Sequence, residues 1–87
     1  MGTNRRPQPR RMGAKLLEIR KSLGYSQEQM AKRLDTNRSP VYPTHISEFE
    51  RGLREPSLLV LLEYARIGGV STDALIDDKL DLPASKH

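Results

Sequence analysis

Ser26-Gln27-Glu28-Gln29-Met30-Ala31 and His45-Ile46-Ser47-Glu48-Phe49-Glu50-Arg51-Gly52 are the stretches that decide how the rest of the chain is read. In the first, Ser26 is placed to cap a helix N-terminus and Gln29, three residues on, to reach back to it. Tyr25 and Met30 flank that start, where a hydrophobic staple sets the direction of the incoming chain. The spacing predicts a short, capped helix beginning at Ser26. In the second stretch only Ile46 and Phe49 are strongly apolar, three residues apart, which marks one narrow buried stripe. Thr44, His45, Ser47, Glu48 and Arg51 are left pointing outward. One helix is built to brace, the other to present polar groups.

Working outward, Leu16, Ile19 and Leu23 fall at i, i+3 and i+7 and predict a first helix from about Arg10 to Leu23, with Gly24 as its C-cap. The second helix runs from Ser26 to about Leu34, with Met30, Ala31 and Leu34 inward. Asp35 to Pro43 is rich in turn formers and holds two prolines, Pro40 and Pro43, so it reads as a loop. The third helix spans about Thr44 to Arg51 and stops at Gly52. Arg54-Glu55-Pro56-Ser57 is a turn whose serine caps a fourth helix, with Leu58, Leu61, Leu62 and Ala65 as the densest apolar face. Gly68-Gly69 ends it, Ser71 caps a short fifth helix to about Ile76, and Asp77 to Pro83 trails off as an acidic, partly apolar tail. No segment alternates with period two. The expectation is an all-α domain of five helices over residues 10–78, a flexible basic arm over 1–9 and a C-terminal tail over 79–87.

Composition limits the chemistry. The 87 residues include no cysteine and two histidines, His45 and His87, so neither a disulfide nor a thiolate metal site is available. Asp73, Asp77, Asp78 and Asp81 lack the ordered ligand spacing of a calcium loop and read as a solvated acidic tail. No glycine-rich phosphate loop and no nucleophile paired with a base is present, so neither an enzyme nor a cofactor is expected. The longest apolar run, Leu58 to Leu62, is far too short to span a bilayer, and the default expectation is a soluble, cytoplasmic protein away from membranes. The net charge of +4 divides into +6 over residues 1–24 and −2 over the remainder. A basic block of this kind is either a solvated tail or an arm that binds phosphate.

The series Leu16, Arg20, Gly24-Tyr25-Ser26-Gln27-Glu28, Ala31, Leu34, Ile46-Ser47, Glu50-Arg51-Gly52, Glu55-Pro56-Ser57, Leu61-Leu62, Ala65 and Val70-Ser71 closely resembles the phage-repressor and Cro-like helix-turn-helix family, also called the XRE family, over roughly Leu16 to Ile76. The resemblance implies a compact five-helix, repressor-like bundle whose third helix enters the major groove of double-stranded DNA, commonly as a homodimer on two-fold-related half-sites. The chain departs from the pattern in a lengthened connection between helices 2 and 3 and in Asp35, where the family has a small residue. Asn37 and Arg38 in that loop become further candidates for touching DNA.

Carried over by position, Gln27 resembles the family's phosphate-contacting glutamine, at a helix N-terminus that offers amide donors to an anion. Pro43, Thr44 and Glu48 take the base-facing positions, with His45 and Ser47 beside them. Thr44 suits a base edge or a thymine methyl, Glu48 accepts from cytosine N4, and Pro43 offers a van der Waals surface only. Arg51 and Arg54 suit either the C-terminal dipole of the third helix or a DNA phosphate. Arg38, Arg10 and Arg11 complete the candidate phosphate contacts. Arg20 and Glu50 match positions that form a partly buried ion pair joining helix 1 to helix 3, a structural role. His45 has no partner within a turn for binding a metal. The resulting expectation is a sequence-specific, double-stranded DNA-binding transcriptional regulator, a repressor, reading the major groove with helix 3. The alternative is an antitoxin or adaptor of the same fold, which binds a protein partner and whose DNA binding is autoregulatory or lost.

Overall fold

Five helices follow one another as α1 (Met12–Leu23), α2 (Gln27–Leu34), α3 (Pro43–Glu50), α4 (Leu58–Gly68) and α5 (Thr72–Ile76), in a computed structural model that describes residues 9–35 and 40–83. Among the described residues no strand occurs. The arm up to residue 8, the loop residues Asn37 and Arg38, and residues 84–87 lie outside the described residues.

The helices start where short-range chemistry satisfies their free amides. Ser26 Oγ accepts from the Gln29 amide at 3.1 Å and Gln29 Oε1 accepts from the Ser26 amide at 2.8 Å, closing the capping box on α2. Ser57 and Ser71 cap α4 and α5 by accepting from the amides of Val60 and Ala74. Gly24 and Gly69 end α1 and α4 with φ near +70°, a left-handed turn that suits a residue without a Cβ. Pro43 differs from expectation: it is the first residue of α3 rather than the last of the loop. A proline costs nothing there, because the first helical amide has no intrahelical partner and the fixed φ is already helical.

The core draws Leu16 and Ile19 from α1, Met30, Ala31 and Leu34 from α2, Ile46 and Phe49 from α3, and Leu75 from α5, with Val41 of the long connection tucked among them. Asp35 closes that connection, its carboxylate accepting from the Val41 amide at 3.0 Å. From α4 the buried residues are Val60, Leu61, Tyr64 and Ala65. Leu58 and Leu62, expected on the buried face, are instead 81% and 37% exposed. An unbroken run of five apolar residues carries no phase of its own, and here Tyr64 sets it by packing edge-on against Phe49. Gly13 lets α1 lie directly on the end of α3, since a Cβ there would stand 2.8 Å from the Glu50 carbonyl oxygen and 2.9 Å from that of Phe49.

The residues after α5 close back onto α1. Lys15 is buried, and its Nζ donates to the carbonyls of Ala74, Asp77 and Leu80 at 2.7, 3.0 and 2.7 Å. Asp78 accepts from the amides of Arg10 and Arg11, serving as a cap for α1 from the far end of the chain. The Arg11 guanidinium adds bonds to the Asp78 carbonyl and the Asp81 carboxylate.

Candidate nucleic-acid interface

With Ile46 and Phe49 turned into the core, helical spacing puts Thr44, Ser47, Glu48 and Arg51 on the opposite side of α3, with Pro43 flanking them at the helix start. Pro43, Thr44 and Arg51 are exposed there, and Ser47 and Glu48 half-buried. Two internal contacts arrange this face. Arg54, from the connection to α4, donates through Nε to Glu48 at 2.6 Å. That bond holds the Glu48 carboxyl below its ordinary range, so the side chain faces solvent as an acceptor-only carboxylate. Arg51 folds back along the helix, its Nε bonded to the carbonyl and hydroxyl of Ser47.

His45 does a different job from its neighbours. Its Nδ1 accepts from the Tyr42 amide at 3.2 Å, and its ring packs between those of Tyr42 and Phe49. It therefore ties down the start of α3. Tyr42, which the sequence reading did not single out, is 58% exposed beside that start. An aromatic one residue ahead of a polar helix was the available signal.

Behind the face, one network sets the angle of α3. Arg20 on α1 donates through Nε and Nη2 to the two oxygens of Glu50 at 2.6 and 3.0 Å, and through Nη1 to the Tyr25 carbonyl at 2.9 Å. The two side chains are 14% and 6% exposed. Hydrogen bonding to Glu50 outweighs burial and raises the Arg20 pKa further, so the guanidinium stays charged. Gln27, in the first turn of α2, donates to Glu50 Oε1 at 3.2 Å. The carboxylate of Glu50 thus ties α3 to a residue on each of two other helices, α1 and α2. Gln27 retains a second amide hydrogen for an outside acceptor.

A cleft of about 250 Å³ between the start of α1 and the end of α3 counts Arg10, Arg51 and Arg54 among its lining residues, together with Glu50 and Glu55. Arg11 is turned to the other side, onto Asp78 and Asp81. Among the described residues no group of three or more histidines or carboxylates is placed to hold a metal, and no helix is long and apolar enough to cross a membrane. The arrangement offers hydrogen-bond donors and acceptors on one helix, flanked by guanidinium groups, a combination fit for base edges and phosphates.

Comparison with known proteins agrees with this geometry. The helix-turn-helix family model matches residues 16–75. Over 65 residues the chain is 32% identical to the HTH-type transcriptional regulator ImmR of Bacillus subtilis (strain 168), a match covering 75% of this chain and 47% of that protein. The chain therefore spans about half the length of the curated relative it matches. Among solved structures it is similar to the P22 c2 repressor protein in complex with a synthetic operator, with a TM-score of 0.66 and 28% identity over 77% of this chain and 94% of that one. The SinR protein in complex with SinI matches with a TM-score of 0.65 and 29% identity over 78% and 62%. SinR in complex with DNA, described as the master regulator for biofilm formation, matches with a TM-score of 0.60 and 28% identity over 74% and 95%.

Proposed function

Since the chain belongs to the XRE-type helix-turn-helix family of DNA-binding regulators, which are not enzymes, we propose that it is a sequence-specific transcriptional repressor that lays α3 in the major groove of double-stranded DNA. The observation that carries the reading is the one-sided face of α3, where Thr44, Ser47 and Glu48 stand opposite Ile46 and Phe49 and Pro43 is exposed at the helix start. Thr44 and Glu48 read base edges, with Glu48 accepting from a cytosine amino group and aimed by Arg54. Pro43 and Ser47 complete the face, and His45 supports it from the helix start. Gln27, Arg51, Arg54 and Arg10 grip phosphate, and the basic residues ahead of Arg10 and in the long loop, Arg38 among them, extend that grip. Two copies bind as a homodimer on half-sites about one helical turn apart. The SinR–SinI complex among the structural relatives supports a protein partner as a further route of control.

Selection of bound duplexes from a random pool at fixed salt tests the assignment. Thr44→Ala is expected to relax preference at one or two base pairs by about 1–3 kcal/mol. Gln27→Ala is expected to weaken all sequences alike. Arg54→Ala should do both, because it also releases Glu48. An unchanged consensus for Thr44→Ala and Glu48→Ala would remove α3 as the reading element.

A further inference from the structure

We propose that Asp78, from the far end of the chain, is a positioning residue for DNA binding: its carboxylate fixes the backbone of Arg10 so that this arginine stays in the cleft beside α3, available to a phosphate. The inference rests on the DNA-binding reading above and adds to it a residue that the sequence places in a solvated tail.

The three arginines that line the cleft are not equally available. Arg54 donates through Nε to Glu48 at 2.6 Å, and Arg51 donates through Nε to the carbonyl and hydroxyl of Ser47 at 3.3 and 3.2 Å. Each keeps only its terminal amino groups for DNA. Arg10 is exposed, and among the described residues its guanidinium makes no hydrogen bond or ion pair. It alone of the three has all five donors left for an outside acceptor.

A long side chain delivers its charge to one place at low entropic cost only if its backbone is already held. Residue 10 precedes α1, so its amide has no intrahelical partner. Asp78 supplies one from 68 positions away, Oδ2 accepting from the Arg10 amide at 2.9 Å and Oδ1 from the Arg11 amide at 3.0 Å. Two bonds from one carboxylate set the direction of the backbone there. Asp78 is held in turn, because Lys15 Nζ binds the carbonyls of Asp77 and Leu80 on either side of it and Arg11 donates to its own carbonyl at 2.8 Å. The neighbouring arginines therefore divide the work: Arg11 builds the clasp with Asp78 and Asp81, and Arg10 faces outward from it. By charge alone a carboxylate beside a phosphate-binding cleft weakens DNA binding. A positioning role gives its removal the opposite sign.

The test is fluorescence-anisotropy titration of the full chain, native and variant, on the duplex that the native chain selects, over a salt series and at a temperature where melts show every chain folded. Losing one phosphate contact lowers the slope of log affinity against log salt by about 0.9 and, at about 0.1 M salt, weakens binding roughly 8-fold. Arg10→Ala is expected to show that loss and Asp78→Ala most of it, both with the consensus unchanged. In the Arg10→Ala background Asp78→Ala is expected to cost nothing further, because the group it positions is gone. Asp78→Asn, which keeps one acceptor, should fall between native and Asp78→Ala. Asp81→Asn removes the same charge from the same segment, but its carboxylate bonds the Arg11 side chain and not the Arg10 amide, so it should bind like the native chain or slightly tighter. Tighter binding by Asp78→Ala, an unchanged slope, or an equal loss with and without Arg10 overturns the proposal and leaves Asp78 a helix cap alone. A native chain that selects no duplex sinks the reading above and this proposal together, whereas selective binding that Arg10→Ala and Asp78→Ala leave untouched removes only the proposal.

Discussion

Replacing Glu50 with alanine should cost this domain a large share of its stability. The carboxylate accepts from Arg20 Nε at 2.6 Å, from Arg20 Nη2 at 3.0 Å and from Gln27 Nε2 at 3.2 Å. With it gone, the Arg20 guanidinium keeps its bond to the Tyr25 carbonyl but stays charged in a site where only 14% of its side chain reaches solvent. Removing one partner of a buried pair typically costs about 3–5 kcal/mol. The retained bond and residual solvent access put Glu50→Ala at the lower end, about 3 kcal/mol. For a domain of this size 1 kcal/mol moves Tm by about 4–8 °C, so Tm should fall by roughly 12–24 °C. Circular dichroism melts at neutral pH measure it directly. Glu50→Gln, which keeps an acceptor without the charge, should fall in between. Arg20→Met with Glu50→Ala should cost clearly less than the two single changes added together, because the stranded charge is then absent. A Tm within about 3 °C of native for Glu50→Ala would refute the reasoning and reduce the pair to a surface contact.

Gly13→Ala should destabilise by about 1–3 kcal/mol in urea titrations, because the new methyl meets the Glu50 and Phe49 carbonyl oxygens, which are backbone atoms unable to give way cheaply; a Gly13→Ala chain as stable as native would show that α1 and α3 have room to separate. Tyr64→Phe should be neutral or stabilising by about 1 kcal/mol in the same assay, since the buried hydroxyl finds no hydrogen-bond partner among the described residues; a loss above about 1 kcal/mol would reveal a bond to that oxygen. Acid should loosen the closure of residues 77–82 on α1. Amides of Arg10 and Arg11 hold the Asp78 carboxyl below its ordinary range and the Arg11 guanidinium does the same for Asp81. A carboxyl lowered on folding stabilises fully above its unfolded value and loses that contribution as pH falls through about 4 toward the folded value. The gap in Tm between pH 7 and pH 3 should therefore narrow in Asp78→Asn, and an unchanged gap would place the acid sensitivity elsewhere.

Much of the fold is legible in the residues because the forces that start and stop a helix act within four positions. Ser26 with Gln29, Ser57, Ser71, Gly24 and Gly69 each close their helix end with neighbours in the chain, and the stripe of Ile46 and Phe49 is visible as spacing alone. The Arg20–Glu50 pair was expected through resemblance to a family, not through any local pattern. Elsewhere only the assembled chain decided. Leu58 to Leu62 is apolar at every position, so which leucines turned outward waited on Tyr64 meeting Phe49 from another helix. Asp78 and Asp81 read as a solvated tail because their partners, Arg10 and Arg11, lie nearly the whole chain away. Nothing local marks Lys15 for burial, and only folding brings three carbonyls from the other end of the chain onto it. The division follows from range: backbone amides at helix ends are satisfied locally and leave a pattern in sequence, whereas the phase of an all-apolar helix and the partner of a charge are set by whichever surface folding brings opposite.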